Sequence, residues 1–260
     1  MSVATDTTGL VLAEPSDGVL TITINRSEQK NAINHEVAVG VAAALDQLDA
    51  DPALSVGVLT GAGGIFSAGM DLKAFAQGQI PSLPGRGFGG ITRAEVRKPL
   101  IAAVEGWALG GGFEMALACD LIVAAENAKF GFPEVKWGLV PAEGGLLRLP
   151  KRIPYHIALR VMLTAEPLAA TDAEHYGLVS EVCAPGAALR TAQEMAGRIG
   201  RNAPLALAAV KQTLRVTQGL NDRAAFERQD EIATPLAATE DAHEGALAFA
   251  EKRAPVWRGR

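Results

Sequence analysis

Apolar residues alternate with threonine along Val19-Leu20-Thr21-Ile22-Thr23-Ile24, which places Leu20, Ile22 and Ile24 on one face of a predicted β-strand. The period then changes. Between Asn34 and Asp51 the apolar positions Val37, Val41, Ala44, Leu45 and Leu48 follow helical spacing, with Asn34 placed to cap the helix and Pro52 to stop it. Val56 to Thr60 is a short apolar run ending in Gly61-Ala62-Gly63-Gly64, a strand that enters a loop. Gln79 to Gly90 is rich in proline and glycine and reads as a mobile surface loop. Leu100 to Val104 and Leu121 to Ala124 predict two further core strands. Between them stand Gly106, a glycine triplet and a helical run. Beyond Pro154 the pattern is mostly helical: Tyr155 to Leu163, Ala170 to Tyr176, Ala187 to Ile199, Pro204 to Val216, and two more helices near the end. Strands mixed with helices early, then helices alone, predict an α/β core with a helical C-terminal part. Composition shifts near Arg201 without a clear linker, and no internal repeat is visible.

The chain has 260 residues, 48% hydrophobic and 20% charged, enough to build a sizeable core and too apolar for disorder. A net charge of −5 lacks the basic field that nucleic acids require, so no nucleic-acid partner is expected. The most apolar region, Pro99 to Ala125, is broken by Glu105, Glu114 and Asp120, so no membrane span is expected either. Met1 to Leu10 carries no signal-peptide pattern, and Cys119 and Cys183 form no C-x-x-C pair. A cytoplasmic setting is the expectation. His35, His156, His175 and His243 are scattered without ligand spacing, so no metal site is expected. Gly85-Arg86-Gly87-Phe88-Gly89-Gly90 satisfies G-x-G-x-x-G literally. Pro81 and Pro84, however, stand where the strand of a dinucleotide site would be.

Candidate chemistry lies elsewhere. In Gly106-Trp107-Ala108-Leu109-Gly110-Gly111-Gly112-Phe113-Glu114 a buried strand gives way to three glycines and the start of a helix. Unpaired N–H groups at a helix start suit an oxygen acquiring negative charge, although close packing of a helix on a sheet would select the same glycines. Phe66-Ser67-Ala68-Gly69-Met70-Asp71-Leu72 follows another strand and glycine loop, and two such loops could each give one N–H to a single oxygen. Phe130-Gly131-Phe132-Pro133-Glu134 holds a glutamate on a proline turn, while Glu114 sits in an apolar run where a carboxylate is costly. A salt-bridged or exposed glutamate is the usual account of either one alone.

At these three segments the sequence resembles the crotonase family of enoyl-CoA hydratases and isomerases. The resemblance runs from Ile24-Asn25-Arg26 with Asn31-Ala32 to Phe249-Ala250-Glu251-Lys252-Arg253. It implies an α/β fold, a spiral of repeated ββα units over residues 1–200, and a helical trimerisation region over 201–260. It also implies a homotrimer or a hexamer of paired trimers. By position, the amides of Met70 and Gly111 would form an oxyanion hole, and Glu114 and Glu134 would handle water and the substrate α-carbon. Family contacts to coenzyme A fall at Arg26, Lys30, Asn31 and Ala32, at Ala68, Asp71 and Leu72, and at Phe249 and Lys252 of the tail. A solvated basic C-terminus would look the same at Lys252. The implied activity is hydration of an α,β-unsaturated acyl-CoA, or the reverse dehydration, with no cofactor beyond the substrate's own CoA. Alternatives are a carnitinyl-CoA dehydratase-like lyase, a double-bond isomerase and a non-catalytic acyl-CoA scaffold. The sequence departs from the family at Val140-Pro141-Ala142-Glu143-Gly144-Gly145, where fatty-acid hydratases usually carry Pro-Gly-Ala-Gly-Gly. Glu143 could face a cationic acyl chain. The preferred expectation is a first-turn glutamate at a helix N-terminus.

Overall fold

The computed structural model describes residues 9–260, so most of Met1 to Leu10 lies outside the described residues. Strands β1 (Val11–Ser16) and β2 (Val19–Ile24) form an antiparallel hairpin. Helix α1 (His35–Ala50) follows, capped as expected: Asn34 Oδ1 accepts from the Val37 N–H at 3.0 Å. Next come β3 (Val56–Gly61), the short α2 (Leu72–Ala76) and the two-residue strands β4 (Ser82–Leu83) and β5 (Gly87–Phe88). Then β6 (Leu100–Val104), β7 (Trp107–Leu109), α3 (Gly111–Ala118), β8 (Leu121–Ala125) and β9 (Lys129–Gly131) wind the core. Helices α4 (Gly145–Arg152) and α5 (Tyr155–Thr164), strand β10 (Leu168–Ala169), α6 (Ala170–His175) and β11 (Glu181–Cys183) complete it. The C-terminal helices are α7 (Ala188–Gly200), α8 (Pro204–Val216), α9 (Asp222–Leu236) and α10 (Glu240–Glu251).

The main sheet has the order β1-β2-β3-β6-β8-β11, parallel throughout except for β1. A smaller sheet, β10-β9-β7, runs alongside it, and a bridge between Ser67 and Ala108 extends its edge. Each turn of the spiral therefore passes through one strand of the large sheet and one of the small sheet, then through helical chain, as β6-β7-α3 shows. The second strand of each turn spans only three residues in β7 and β9, too short to show a period-2 pattern.

The alternation in β2 predicts one buried face, yet Val19 and Thr21 are buried as well. Helix α7 covers that second face: Val19, Val56, Val58, Ile101, Ala103 and Val123 pack with Ala192 and Ala196. Thr21 is tolerated there because its hydroxyl accepts from Gln193 Nε2 at 3.0 Å. Covering both faces of a parallel sheet is the general rule for such sheets.

One expectation is corrected. Gln79 to Gly90 is not a surface loop throughout, since Gly87, Phe88, Gly89 and Gly90 are buried. Close approach explains those glycines: a Cβ on Gly89 would lie 2.5 Å from the Met115 sulfur, and one on Gly90 would lie 2.3 Å from the Ala38 carbonyl oxygen.

Candidate active site

Two loops after parallel strands meet in space. Ser67 is pinned to β7, its N–H donating to Trp107 O at 2.9 Å and its carbonyl accepting from the Leu109 N–H at 3.0 Å. The Ser67 hydroxyl donates to Asn31 O at 2.8 Å and accepts from the Gly69 N–H at 3.1 Å. Gly69 has φ +90°, and a Cβ there would sit 2.6 Å from Leu109 O and 3.2 Å from Gly111 N. Glycine is thus the residue that lets the Ala68–Met70 backbone lie against the start of α3. Among the described residues, no acceptor lies on the N–H of Met70 or on that of Gly111. Two neighbouring unpaired amides, one of them at the positive end of a helix, form a ready binding site for an anionic oxygen.

Glu114, in the first turn of α3, is only 3% exposed. Its Oε1 accepts from the Glu143 N–H at 2.7 Å and from the Gly145 N–H at 2.9 Å. Burial lifts its pKa to about 7 against the pull of those two N–H groups, and the nearby charges of Glu134 and Glu143 lift it further. Glu134 opens a 3-10 turn, Glu134–Trp137, entered through Pro133 and closed by Gly138 at φ 72°. Burial pushes its pKa up too. Its Oε2 is buried with no hydrogen-bond partner among the described residues, an arrangement seldom kept unless something is to bind there. Gly110, at φ 53°, admits this carboxylate, since a Cβ on it would lie 3.0 Å from Glu134 Oε1. The Gly110 N–H donates to Gly131 O at 2.9 Å, and Phe113 stacks on Phe132 at 4.7 Å, which fixes α3 against the turn that carries Glu134. Both carboxylates and both free amides therefore converge.

The loop residues expected near coenzyme A lie beside this centre. Arg26 forms an ion pair with Asp71, both Nη1 and Nη2 donating to Oδ2 at 3.2 and 3.1 Å, tying the 26–32 loop to the start of α2. Asp71 also caps α2 through the Lys73 and Ala74 N–H groups. Asn31 is fully buried at φ 52°, with its side chain committed to the Arg26 N–H and to the Ala62 and Ile65 carbonyls. The side chains of Arg26, Asn31 and Asp71 thus hold the loops in shape. Lys30 and Leu72 are exposed, and Ala32 and Ala68 are half-buried. Phe249 stands 88% exposed on α10, and Lys252 ends that helix at φ 54°. Among the described residues, no hydrogen bond or ion pair joins either one to the 26–32 or 68–72 segments.

Glu143 does not lie in the first turn of α4. Gly144 is the N-cap, and the Glu143 carboxylate turns to Phe88, Thr92 and Arg93, because those groups offer it three donors. Phe88 and the amides of Glu143 and Gly145 escaped the sequence reading. The glycine-rich composition around Phe88 masked its packing, and partners 29 and 31 residues from Glu114 leave no local signal.

Residues 14–260 match the profile described as Enoyl-CoA hydratase/isomerase. The chain is 43% identical over 251 residues to a carnitinyl-CoA dehydratase of Salmonella typhi, covering 93% of this chain and 95% of that protein. The crystal structure of an enoyl-CoA hydratase from Mycobacterium tuberculosis H37Rv superposes with a TM-score of 0.94 at 52% identity, covering 96% of this chain and 99% of that one. A carnitinyl-CoA hydratase from Mycobacterium avium gives 0.77 at 43% identity, covering 98% and 100%. The profile match over nearly the whole chain, with relatives of this similarity, shows that the chain belongs to the enoyl-CoA hydratase/isomerase, or crotonase, family.

Proposed function

We propose that this protein is a lyase that hydrates an α,β-unsaturated acyl-CoA to the 3-hydroxyacyl-CoA, or runs the reverse dehydration. The observation that carries this reading is the meeting of two carboxylates with raised pKa, Glu114 buried and Glu134 half-buried, beside a pair of unpaired amides. The thioester oxygen accepts from the Met70 and Gly111 N–H groups, which draws charge from the β-carbon. Glu114 and Glu134 hold one water between them. One carboxylate takes its proton as the oxygen attacks the β-carbon, and the other, protonated, delivers a proton to the α-carbon. A pKa near 7 lets Glu114 serve on either side of this exchange at neutral pH. Each hole donor contributes a few kcal/mol, and the acid–base pair a further factor of roughly 10² to 10⁴. The CoA arrives with the substrate, so no separate cofactor takes part.

Crotonyl-CoA supplied in ¹⁸O-water tests this reading. The label is expected on the β-carbon hydroxyl, whereas an isomerase leaves the chain unlabelled and a scaffold leaves it unchanged. Label-free product across a panel of enoyl-CoA substrates would sink it. Crotonobetainyl-CoA belongs in that panel, because relatives at 42–43% identity carry the name carnitinyl-CoA dehydratase. Turnover of it above the simple enoyl chains would favour the dehydratase-like alternative.

The exposed apolar residues Val210 and Leu214 on α8, with Phe226 on α9, support assembly through the C-terminal helices into a trimer or hexamer. A monomer by light scattering at micromolar concentration would contradict this. No helix of the described residues is long and apolar enough to cross a membrane.

A further inference from the structure

Glu143 carries contacts from both ends of the residue. Its Oε2 accepts from the Phe88 N–H at 3.2 Å, the Thr92 hydroxyl at 3.1 Å and Arg93 Nε at 3.1 Å, and its Oε1 from Arg93 Nη2 at 3.3 Å. Its backbone N–H donates to Glu114 Oε1 at 2.7 Å. The Phe88 ring held in this way fills the space beside the hole: a Cβ on Gly111 would lie 2.4 Å from two of its carbons. Arg148 ties the same two segments together, donating to Thr92 O at 2.6 Å and to Glu143 O at 3.4 Å. The wall against Gly111 and the clamp on Glu114 therefore share a single residue.

We infer that Glu143 is a positioning residue of this active site. Its side chain seats Phe88 against Gly111 and its N–H seats the Glu114 carboxylate, so that it sets the oxyanion donor relative to the acid–base group. A carboxylate already bound to a backbone N–H, a hydroxyl and a guanidinium is spent on the architecture of the site. That is a different role from receiving a cationic acyl chain. The kinetic part of this inference rests on the hydratase–dehydratase reading; the structural part does not.

Three variants test it. Glu143→Ala removes every side-chain contact, whereas Glu143→Gln keeps an acceptor for the Phe88 N–H and the Thr92 hydroxyl and loses only the ion pair to the exposed Arg93. Hydrogen exchange over peptides covering 86–93 and 141–146 is expected to quicken about 10-fold in Glu143→Ala and to stay within about 3-fold of wild type in Glu143→Gln. With an enoyl-CoA substrate, kcat is expected to fall about 10-fold in Glu143→Ala at nearly constant KM and to be largely restored in Glu143→Gln. Should Glu143→Ala not fold, Glu143→Asp keeps the charge but shortens the reach, and is expected to show the same changes in smaller measure. Wild-type exchange in the folded Ala variant, or in the Asp variant if that is the one that folds, overturns the proposal whatever the activity. Quickened exchange with unchanged kcat also overturns it and leaves the hydratase reading standing. A wild-type enzyme that turns over no acyl-CoA sinks the functional reading instead, and the exchange result then decides the positioning role.

Discussion

Glu114→Gln is expected to lower kcat for hydration by about 10²-fold or more and, at pH 8, to raise the melting temperature of the protein. Glutamine keeps the size of the side chain and an oxygen for the Glu143 and Gly145 N–H groups, but it transfers no proton. Substrate affinity should therefore change little. Glu134→Gln is expected to lose a similar factor. Because both groups act on one water, the double variant should lose less than the product of the single losses. An isomerase predicts otherwise: Glu114→Gln would keep most double-bond migration, and only Glu134→Gln would abolish it.

The stability change has its own sign. Burial raises the Glu114 carboxyl from 4.5 to about 7 in the fold, so the folded state holds the proton more tightly than the unfolded chain. Its favourable contribution is complete below about pH 4.5 and is lost as pH rises through 7. Above that, keeping the charge buried costs on the order of 3 kcal/mol. Glutamine escapes this cost, so the variant should melt higher than wild type at pH 8 and nearly level with it at pH 4. Equal melting at pH 8 would mean that Glu114 is not held against its charged form. The comparison also separates catalytic loss from misfolding, because the less active variant should be the more stable one.

Gly69→Ala is expected to lower kcat by about 10² to 10³-fold, comparable with removing one oxyanion donor. The added methyl would meet Leu109 O at 2.6 Å and Gly111 N at 3.2 Å. Those are backbone atoms and cannot swing aside as a side chain can. The φ of +90° at this position adds strain for any residue with a Cβ. The two loops must then part, and the Met70 and Gly111 amides no longer aim at one oxygen. Kinetics should be read beside circular dichroism and a thermal melt. A folded variant with near-normal kcat would remove the Met70–Gly111 pair from the mechanism.

The sequence alone determined the parts whose signals are local. Helix α1 was legible because its apolar spacing, the Asn34 cap and Pro52 all lie within the element itself. The same holds for β2, β3, β6 and β8, which were found to within a residue or so of their ends. The segments carrying Glu114, Glu134, Met70 and Gly111 stood out through glycine, proline and misplaced charge, and the family resemblance ordered them. The turns of the spiral did not show. Strands such as β7 and β9 are held by neighbours in the small sheet, and three residues are too few to reveal a period. Only the tertiary structure decided that Phe88 is buried and that Glu143 precedes α4, with its carboxylate turned to Phe88, Thr92 and Arg93. It also decided that Glu114 owes its place to amides 29 and 31 residues away, and that Glu143 reaches Phe88 across 55 positions. Side-chain direction repeats with the local backbone, so elements can be read along the chain. Which loops meet, how deeply a carboxylate is buried and where its proton then resides depend on how successive turns of the spiral stack, and no stretch of neighbouring residues encodes that.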